Sequence, residues 1–296
     1  MFARMHSALG TFWSKIVLLN PQGIIAYKEF NLMLVATGLM MIVVIAVFSF
    51  TFLIVWKFRV GNPKEKGYDP EWDHSLKVEL VWWAIPLCIV AVLSGIVWTS
   101  SHDLDPYKPI SSNVPPVTID VVALDWKWLF IYPAQGIATV NMVEFPAATP
   151  INFVITSDAP MNSFWIPQLG GQIYAMPGMS TQLHLESFGV GTYDGLSANL
   201  SGAGFAGMKF RANSVSQADF DQWVANVKQS PNTLDQSQYA ALSAPSQDDP
   251  VTLYSSVDEN LYNDTVMKYM MPQGSDATDT QDAQDMPGMA GMTMGN

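Results

Sequence analysis

The chain has 296 residues, of which 49% are hydrophobic and only 14% are charged, and its mean hydropathy is +0.16. Soluble domains carry about a quarter charged residues, so part of this chain is expected to lie in lipid. The formal net charge of −12 argues against a protein that binds the phosphate backbone of nucleic acids. The one cysteine, Cys88, excludes an intrachain disulfide and any site that needs two thiolates.

Two long runs without charged residues stand in the first third of the chain, at residues 31–56 and 80–101. As α-helices they would extend about 39 and 33 Å, against a bilayer hydrocarbon core of about 30 Å. A signal peptide is an alternative for the first run, but this run starts late and lacks a small-residue cleavage site. A buried hairpin of a soluble protein is disfavoured because both runs are apolar all round. The pattern therefore predicts a transmembrane helical hairpin over residues 31–101.

Basic residues indicate the orientation of this hairpin. Five of the 14 lysines and arginines lie between the spans or at their ends, so the loop near residues 57–79 is predicted to be cytoplasmic. The region from residue 102 onward carries 6 basic and 20 acidic residues, which suits a translocated domain. Residues 1–30 are accordingly predicted to be an external segment, with both termini on the periplasmic side of a bacterial plasma membrane. The five basic residues are Lys57, Arg59, Lys64, Lys66 and Lys77.

The remaining chain predicts an external β-domain followed by a helical region. Residues 102–213 contain short β-branched and aromatic runs separated by Pro, Gly, Asn and Ser, which is typical of an antiparallel sandwich. Ser216, with an acidic residue three positions later, resembles a capping box, and a second short helix is expected around residues 236–242. We therefore predict a helical extension over residues 214–270. Residues 271–296 are too poor in large apolar side chains to fold alone, which predicts a disordered, Met-rich tail.

Two membrane helices followed by an external sandwich resemble subunit II of the haem–copper respiratory oxidases, whose external domain is cupredoxin-like. The resemblance runs from about residue 19 to residue 270. It is carried by VELVWWAIP in the second span, LDWKWLFIYP in the sandwich and FDQWVANVKQSPNT in the extension. Two further segments resemble those that hold the binuclear copper centre in cytochrome c oxidases, namely MNSFWIPQLGGQIYAMPGM and GTYDGLSANLSGAGFAGMKF.

The residues at the copper-ligand positions depart from the copper-bearing members of this family. Those members read CxExCxxxHxxM in the second segment and supply a further His from the first. This chain has Asn162 at the position of that His, and only Met208 survives among the side-chain ligands. Because a mixed-valence copper pair needs two bridging thiolates, the resemblance implies a sandwich without copper, in which the polar residues hydrogen-bond within the former site. These vestigial positions are Asn162, Ser197, Asn199, Ser201, Phe205 and Met208.

The pattern without copper is similar to the quinol-oxidase branch of the family, and most similar to subunit 2 of the bo-type ubiquinol oxidases. This resemblance implies a proton-translocating terminal oxidase that oxidises ubiquinol and reduces oxygen to water. The chain itself would carry no catalytic residue and bind no metal or cofactor, because the quinol, the haems and the oxygen-site copper would belong to subunit I. The expected partners are subunits I, III and IV and membrane lipid, with no nucleic acid.

Two other functions stay open. One is a copper-bearing cytochrome c oxidase subunit II, which the missing cysteines and histidines disfavour. The other is a membrane-tethered copper carrier or assembly factor that binds Cu(I) through soft thioethers in the tail. A flexible tail with chance methionines is the simpler interpretation of those thioethers. They belong to Met286, Met289, Met292 and Met294.

Glu79 is the strongest functional candidate, since it lies at the cytoplasmic end of the second span, where a carboxylate is costly unless it is hydrated or used. The resemblance places it at the mouth of the proton pathway through subunit I. An ordinary interfacial acid beside Lys77 explains it equally well. Trp126 and Trp128 are expected to serve packing and subunit contact, and His184, which has no partners at metal spacing, is expected to be structural.

Overall fold

The computed structural model describes residues 17–59, 71 and 73–270. Two long helices come first, α1 (Ile24–Lys57) and α2 (Leu76–Asp103). Both are long and apolar enough to cross a membrane, and no residue in the apolar stretch that qualifies each of them is buried. A helix in a soluble core would instead bury these side chains, so their exposure fits two membrane spans.

Helix α1 begins before the charge-free run because its first turn packs on the external domain. Gly23, directly before the helix, forms an antiparallel β-bridge with Ser187. A Cβ atom at Gly23 would lie 2.4 Å from the carbonyl oxygen of Glu186, so the absence of a side chain permits this close approach. The first two turns of α1 are therefore part of the contact between the membrane hairpin and the sandwich.

Two sheets form the external domain. Their strands in the described region are β1 (Val117–Leu124), β2 (Lys127–Tyr132), β3 (Ile137–Val140), β4 (Met142–Pro146), β5 (Ile151–Ser157), β6 (Asn162–Trp165), β7 (Ile173–Ala175), β8 (Thr181–Leu185), β9 (Gly191–Ser197), β10 (Lys209–Val215) and β11 (Thr252–Tyr254). One sheet has six strands in the order β11-β3-β2-β1-β5-β8, and the other has five in the order β4-β10-β9-β6-β7.

The all-β, cupredoxin-like sandwich is confirmed, but the prediction of wholly antiparallel pairing is wrong. β1 pairs with β5 in parallel, and β4 pairs with β10 in parallel. The cause is the path of the chain, which leaves the six-stranded sheet after β3, forms β4 in the other sheet, and returns as β5 in the direction of β1. Local sequence patterns do not record such a crossover, so they could not distinguish the two directions.

Aromatic side chains fill the space between the sheets. The rings of Phe164 and Phe210 stack with centroids 5.1 Å apart and an interplanar angle of 11°. Trp128 is fully buried and meets both rings edge to face, with centroids 5.3 and 5.8 Å away. Such pairs contribute about 0.5–1.5 kcal/mol each beyond the area they bury. The expected packing role of Trp128 is therefore confirmed.

The part of the C-terminal extension that follows its first helix covers the outer face of the six-stranded sheet. The extension contains α3 (Gln217–Val227), α4 (Gln236–Leu242) and α5 (Leu261–Met267). The predicted cap is confirmed, since Ser216 accepts a hydrogen bond from the backbone N–H of Asp219, and so is the second short helix. The extension is not wholly helical, because β11 joins the sheet beside β3. Its apolar residues cover the outer face of β2, and the aromatic core between the sheets covers the inner face, which explains why no residue of that strand is exposed.

Candidate functional site

The six vestigial positions meet at one end of the five-stranded sheet. Asn162 begins β6 and Ser197 ends β9, and these two strands are neighbours in that sheet. Residues 198–208 form the loop that joins β9 to β10, and it brings the other four positions to the same end. The loop is held by the backbone, because the Ser197 N–H donates to the Met208 carbonyl at 3.1 Å.

A hydrogen bond between two buried side chains occupies the centre of this site. Ser197 Oγ donates to Asn162 Oδ1 at 2.9 Å, and the two residues are 2% and 1% exposed. Asn162 Nδ2 donates to the carbonyl of Pro160 at 2.7 Å, and Asn199 Nδ2 donates to that of Met161 at 2.9 Å. Asn162 and Ser197 therefore make the hydrogen bonds expected of buried polar groups, and the half-buried Asn199 is paired as well.

Ser201 differs from the other polar residues of the site. Its hydroxyl is buried and has no hydrogen-bond partner among the described residues, so the expectation that this side chain bonds within the site is wrong. Its carbonyl instead accepts a 3.1 Å hydrogen bond from Trp126 Nε1. The Trp126 ring lies over the glycines that follow, and a Cβ at Gly204 would stand 2.5 Å from it. The indole of Trp126 therefore packs directly on the backbone of Gly204 in this loop. This contact is the packing role expected of Trp126.

Met208 and Phe205 complete the site without forming a metal centre. Met208 is 1% exposed and belongs to the aromatic core, where a thioether fills space adaptably. Phe205 closes a short helical turn, since its carbonyl accepts from the Met208 N–H at 3.1 Å. The hydroxyl, amide and phenyl groups present offer neither bridging thiolates nor imidazole, so this donor set does not fit a binuclear copper centre. Among the described residues, no three His, Cys, Asp or Glu side chains are grouped to hold a metal ion.

Glu79 lies apart from this site, in the first turn of α2. Its carboxylate is half-exposed, and its Oε2 lies 3.7 Å from Nδ1 of His74. This histidine, and not Lys77, is the ionisable neighbour that the structure brings to Glu79. The carboxylate is therefore free to face a partner subunit or water.

His184 has a structural role, as expected. It is 7% exposed, and its Nδ1 donates to the carbonyl of Pro106 at 2.9 Å. The same carbonyl accepts from the His184 backbone N–H at 3.3 Å. Both bonds fasten the segment that leads from α2 into β1.

Sequence reasoning missed a cluster of hydrogen bonds around one buried carboxylate, which joins the extension to the sandwich. Asp158, directly after β5, accepts from Tyr239, Lys268 and Tyr269 at 2.9, 2.7 and 2.6 Å. The adjacent lysine and tyrosine at the end of the extension were only a weak sequence signal for this cluster. No local pattern indicates that they contact an aspartate more than a hundred residues earlier. The methionines at 286, 289, 292 and 294, proposed as soft ligands, lie outside the described residues.

Comparison with known proteins identifies the relatives of this chain. Residues 95–215 match the family described as Cytochrome C oxidase subunit II, periplasmic domain, and residues 228–273 match the COX Aromatic Rich Motif. Cytochrome bo(3) ubiquinol oxidase subunit 2 of Pseudomonas putida is 54% identical over 268 residues, which cover 90% of this chain and 84% of that protein. The protein of the same name from Pseudomonas aeruginosa is 51% identical and covers 86% and 76%. Ubiquinol oxidase subunit 2 of Acetobacter aceti is 46% identical and covers 90% and 86%.

Proposed function

This chain belongs to the subunit 2 family of ubiquinol oxidases, and from that premise we propose that its sandwich is a structural cap on subunit I that carries no electrons. The observation that carries the proposal is the hydrogen bond between Ser197 and Asn162, which fills the place of two copper ligands. An electron port at this position requires a redox metal, and the residues present do not provide its ligands. Electrons from ubiquinol therefore reach the haems of subunit I directly.

The partners of the chain follow from its two exposed surfaces. The apolar helices α1 and α2 pack against subunit I and lipid, and subunits III and IV complete the assembly. The complex lies in a bacterial plasma membrane, with both termini of this chain on the periplasmic side. The acidic external domain and the basic loop support this orientation. Haems and copper belong to subunit I, so this chain is a non-catalytic subunit of the oxidoreductase.

The proposed domain division assigns each segment one task. Residues 31–101 anchor the chain and 102–213 form the copper-free cap. Residues 214–270 brace that cap from outside, a role supported by the bonds from Tyr239 and Lys268 to Asp158. Residues 1–30 stand outside the membrane and 271–296 form the tail.

The proposal of a copper-free cap is tested by the electron donor that the purified complex uses and by its metal content. We would purify the complex in mild detergent, record its near-infrared spectrum, count coppers, and compare oxygen uptake with ubiquinol and with cytochrome c. We expect uptake with ubiquinol only and no band of a mixed-valence copper pair. Two coppers within this chain would contradict the proposal, and a preparation that contains copper but no haem-bearing partner would indicate a copper carrier.

Glu79 is proposed to admit protons to the pathway through subunit I. Its place in the first turn of α2, beside His74, supports access from the cytoplasmic loop. Glu79→Gln keeps the size of the side chain but removes the titrating carboxyl, so ubiquinol turnover is expected to fall about tenfold or more. Asp73→Asn, an exposed acid near the same end of α2, is the matched control and should leave turnover unchanged. Normal turnover of an assembled Glu79→Gln enzyme would reject this role.

A further inference from the structure

We propose that a cavity between the membrane helices and the sandwich binds the headgroup of a phospholipid that carries both a phosphate and a primary ammonium group. The cavity has a volume of about 370 Å³. Its walls come from the first turns of α1, the end of α2, the segment that follows α2, the turn at Gly171 and strand β8. None of the functions considered above uses it.

One side of the cavity carries an excess of positive charge. Asp103, the last residue of α2, lies 3.2 Å from Lys28 of α1 through Oδ2 and 3.2 Å from Lys108 through Oδ1. Two ammonium groups thus share a single carboxylate, which leaves a net charge of about +1 at this place. Both lysines line the cavity, and a phosphate is the natural partner for a pair of ammonium groups.

The other side of the cavity carries an anion without a cation. Glu29 accepts a hydrogen bond from the backbone of Gly171, and no described residue forms an ion pair with its carboxylate. A Cβ at Gly171 would lie 2.8 Å from Oε1 of Glu29, so the glycine permits the carboxylate to approach the backbone. A carboxylate held in this way can accept charge-assisted hydrogen bonds from a primary ammonium group.

Two further ionisable groups line the cavity. Asp105 accepts a 3.0 Å hydrogen bond from the backbone N–H of Tyr107, and His184 donates its Nδ1 proton to Pro106. The summed formal charge of the lining is therefore −1, with Lys28 and Lys108 against the carboxylates of Glu29, Asp103 and Asp105. A zwitterion complements this arrangement better than a second anion, because its two charges meet opposite charges on the two sides.

The depth of the cavity matches the lipid headgroups. Lys28 and Glu29 precede the charge-free run of α1, and Asp103 follows that of α2, each by about 3–5 Å along its helix axis. The headgroup layer of each leaflet is about 5–8 Å thick, so these residues lie within it. The inference therefore requires that both helices span the membrane, but it does not depend on how electrons enter the oxidase.

Selectivity among lipids is the test of this site. The whole complex would be stripped of loosely held lipid, supplied with phosphatidylethanolamine, phosphatidylcholine or phosphatidylglycerol of identical acyl chains, and examined by native mass spectrometry. A primary ammonium can donate three hydrogen bonds, a trimethylammonium none, and the glycerol headgroup carries no positive charge. We expect phosphatidylethanolamine to be retained at least tenfold better than either other lipid. Equal retention of the three, or equal occupancy by soluble glycerophosphoethanolamine, would overturn the proposal.

Two substitutions test whether the lipid headgroup binds in this cavity. Glu29→Gln should abolish the preference for phosphatidylethanolamine over phosphatidylglycerol, whereas Lys108→Met should weaken retention of both. The exposed residues Glu259 and Lys228 of the extension provide matched controls as Glu259→Gln and Lys228→Met, which should retain lipid as the unaltered complex does. An unchanged preference in the Glu29→Gln complex would overturn the assignment.

Turnover with ubiquinol, measured on the same samples, separates this inference from the proposed function. A complex that oxidises ubiquinol but retains no ethanolamine lipid would overturn the inference about the cavity alone.

Discussion

The ammonium group of Lys268 lies 2.7 Å from a carboxylate oxygen of Asp158, where the C-terminal extension meets the sandwich. The Asp158 side chain is 1% exposed, so its charge depends on protein partners in place of water. The hydroxyls of Tyr239 and Tyr269 supply two further bonds, and Tyr239 in turn accepts from Thr265 at 3.2 Å. The cluster thus ties α4 and the end of α5 to the loop after β5.

Removal of this buried anion is expected to loosen the extension. Asp158→Ala should lower the free energy of unfolding by about 3 kcal/mol, because it leaves two tyrosine hydroxyls and a lysine without their acceptor. Asp158→Asn should cost less, since the amide oxygen still accepts. Lys228→Met, at an exposed lysine of the extension, is the control and should change the stability by about 0.5 kcal/mol or less, as is usual for surface substitutions. Thermal unfolding of the detergent-solubilised chain measures all three, and a wild-type transition for Asp158→Ala would contradict the prediction.

The bond between Ser197 and Asn162 is expected to serve stability and not turnover. Ser197→Ala leaves the buried Oδ1 of Asn162 without its donor and should cost about 1–2 kcal/mol. The double variant Ser197→Val with Asn162→Leu replaces both partners by apolar groups and should cost less than the two single changes together. Oxygen uptake with ubiquinol should stay within about twofold of the wild-type rate in every variant that assembles. A large loss of uptake at unchanged stability would instead indicate that this site takes part in electron transfer.

Gly204 is expected to tolerate no side chain while Trp126 is present. A methyl group there would stand 2.5 Å from the indole, so Gly204→Ala should cost about 1–3 kcal/mol through overpacking. The same change in a Trp126→Leu background should cost distinctly less, because the obstructing ring is gone. Gly189→Ala is the matched control, since nothing lies within 4 Å of its added methyl. Equal costs of Gly204→Ala in the two backgrounds, measured by thermal unfolding, would disprove the contact.

Local features of this fold could be predicted from the sequence, whereas long-range ones could not. The cap at Ser216 and the helix over residues 236–242 depend on neighbours within one or two turns, which sequence patterns record directly. The parallel pairing of β1 with β5 and the partners of Asp158 depend on where distant segments meet. No spacing rule joins residues so far apart.

The candidate site also has features that the sequence could predict and features that it could not. The resemblance pointed to all six vestigial positions, but it could not predict that Ser201 turns its carbonyl to Trp126 and leaves its hydroxyl unpaired. The cavity beside Glu29 was also beyond sequence reasoning, because its charged residues come from two helices and the segment that follows the second. Their meeting depends on how the first turn of α1 packs on the sandwich.

Asp120 gives the sandwich a dependence on pH. It lies on β1, its carboxylate forms no hydrogen bond or ion pair with any described residue, and burial raises its pKa to about 6 from the usual 3.8. It interacts electrostatically with Tyr262 of the extension, which is uncharged in this pH range. Below about pH 3 the carboxyl is protonated in both the folded and the unfolded chain. Between pH 4 and 6 the unfolded chain loses this proton first, so the stability of the fold declines as the pH rises.

Asp120→Asn should therefore stabilise the protein only where the carboxyl is ionised. The pKa difference corresponds to about 3 kcal/mol, and partial hydration of the charge reduces the expected gain at pH 7.5 to about 1–2 kcal/mol. At pH 3 the variant and the wild type should unfold at nearly the same temperature, because the carboxyl is then protonated in both the folded and the unfolded wild type. Asp221→Asn, on the exposed side of α3, is the control and should show no such crossover. A gain for Asp120→Asn that is equal at pH 3 and pH 7.5 would show that the amide stabilises by shape or hydrogen bonding, and that the buried charge is not the cause.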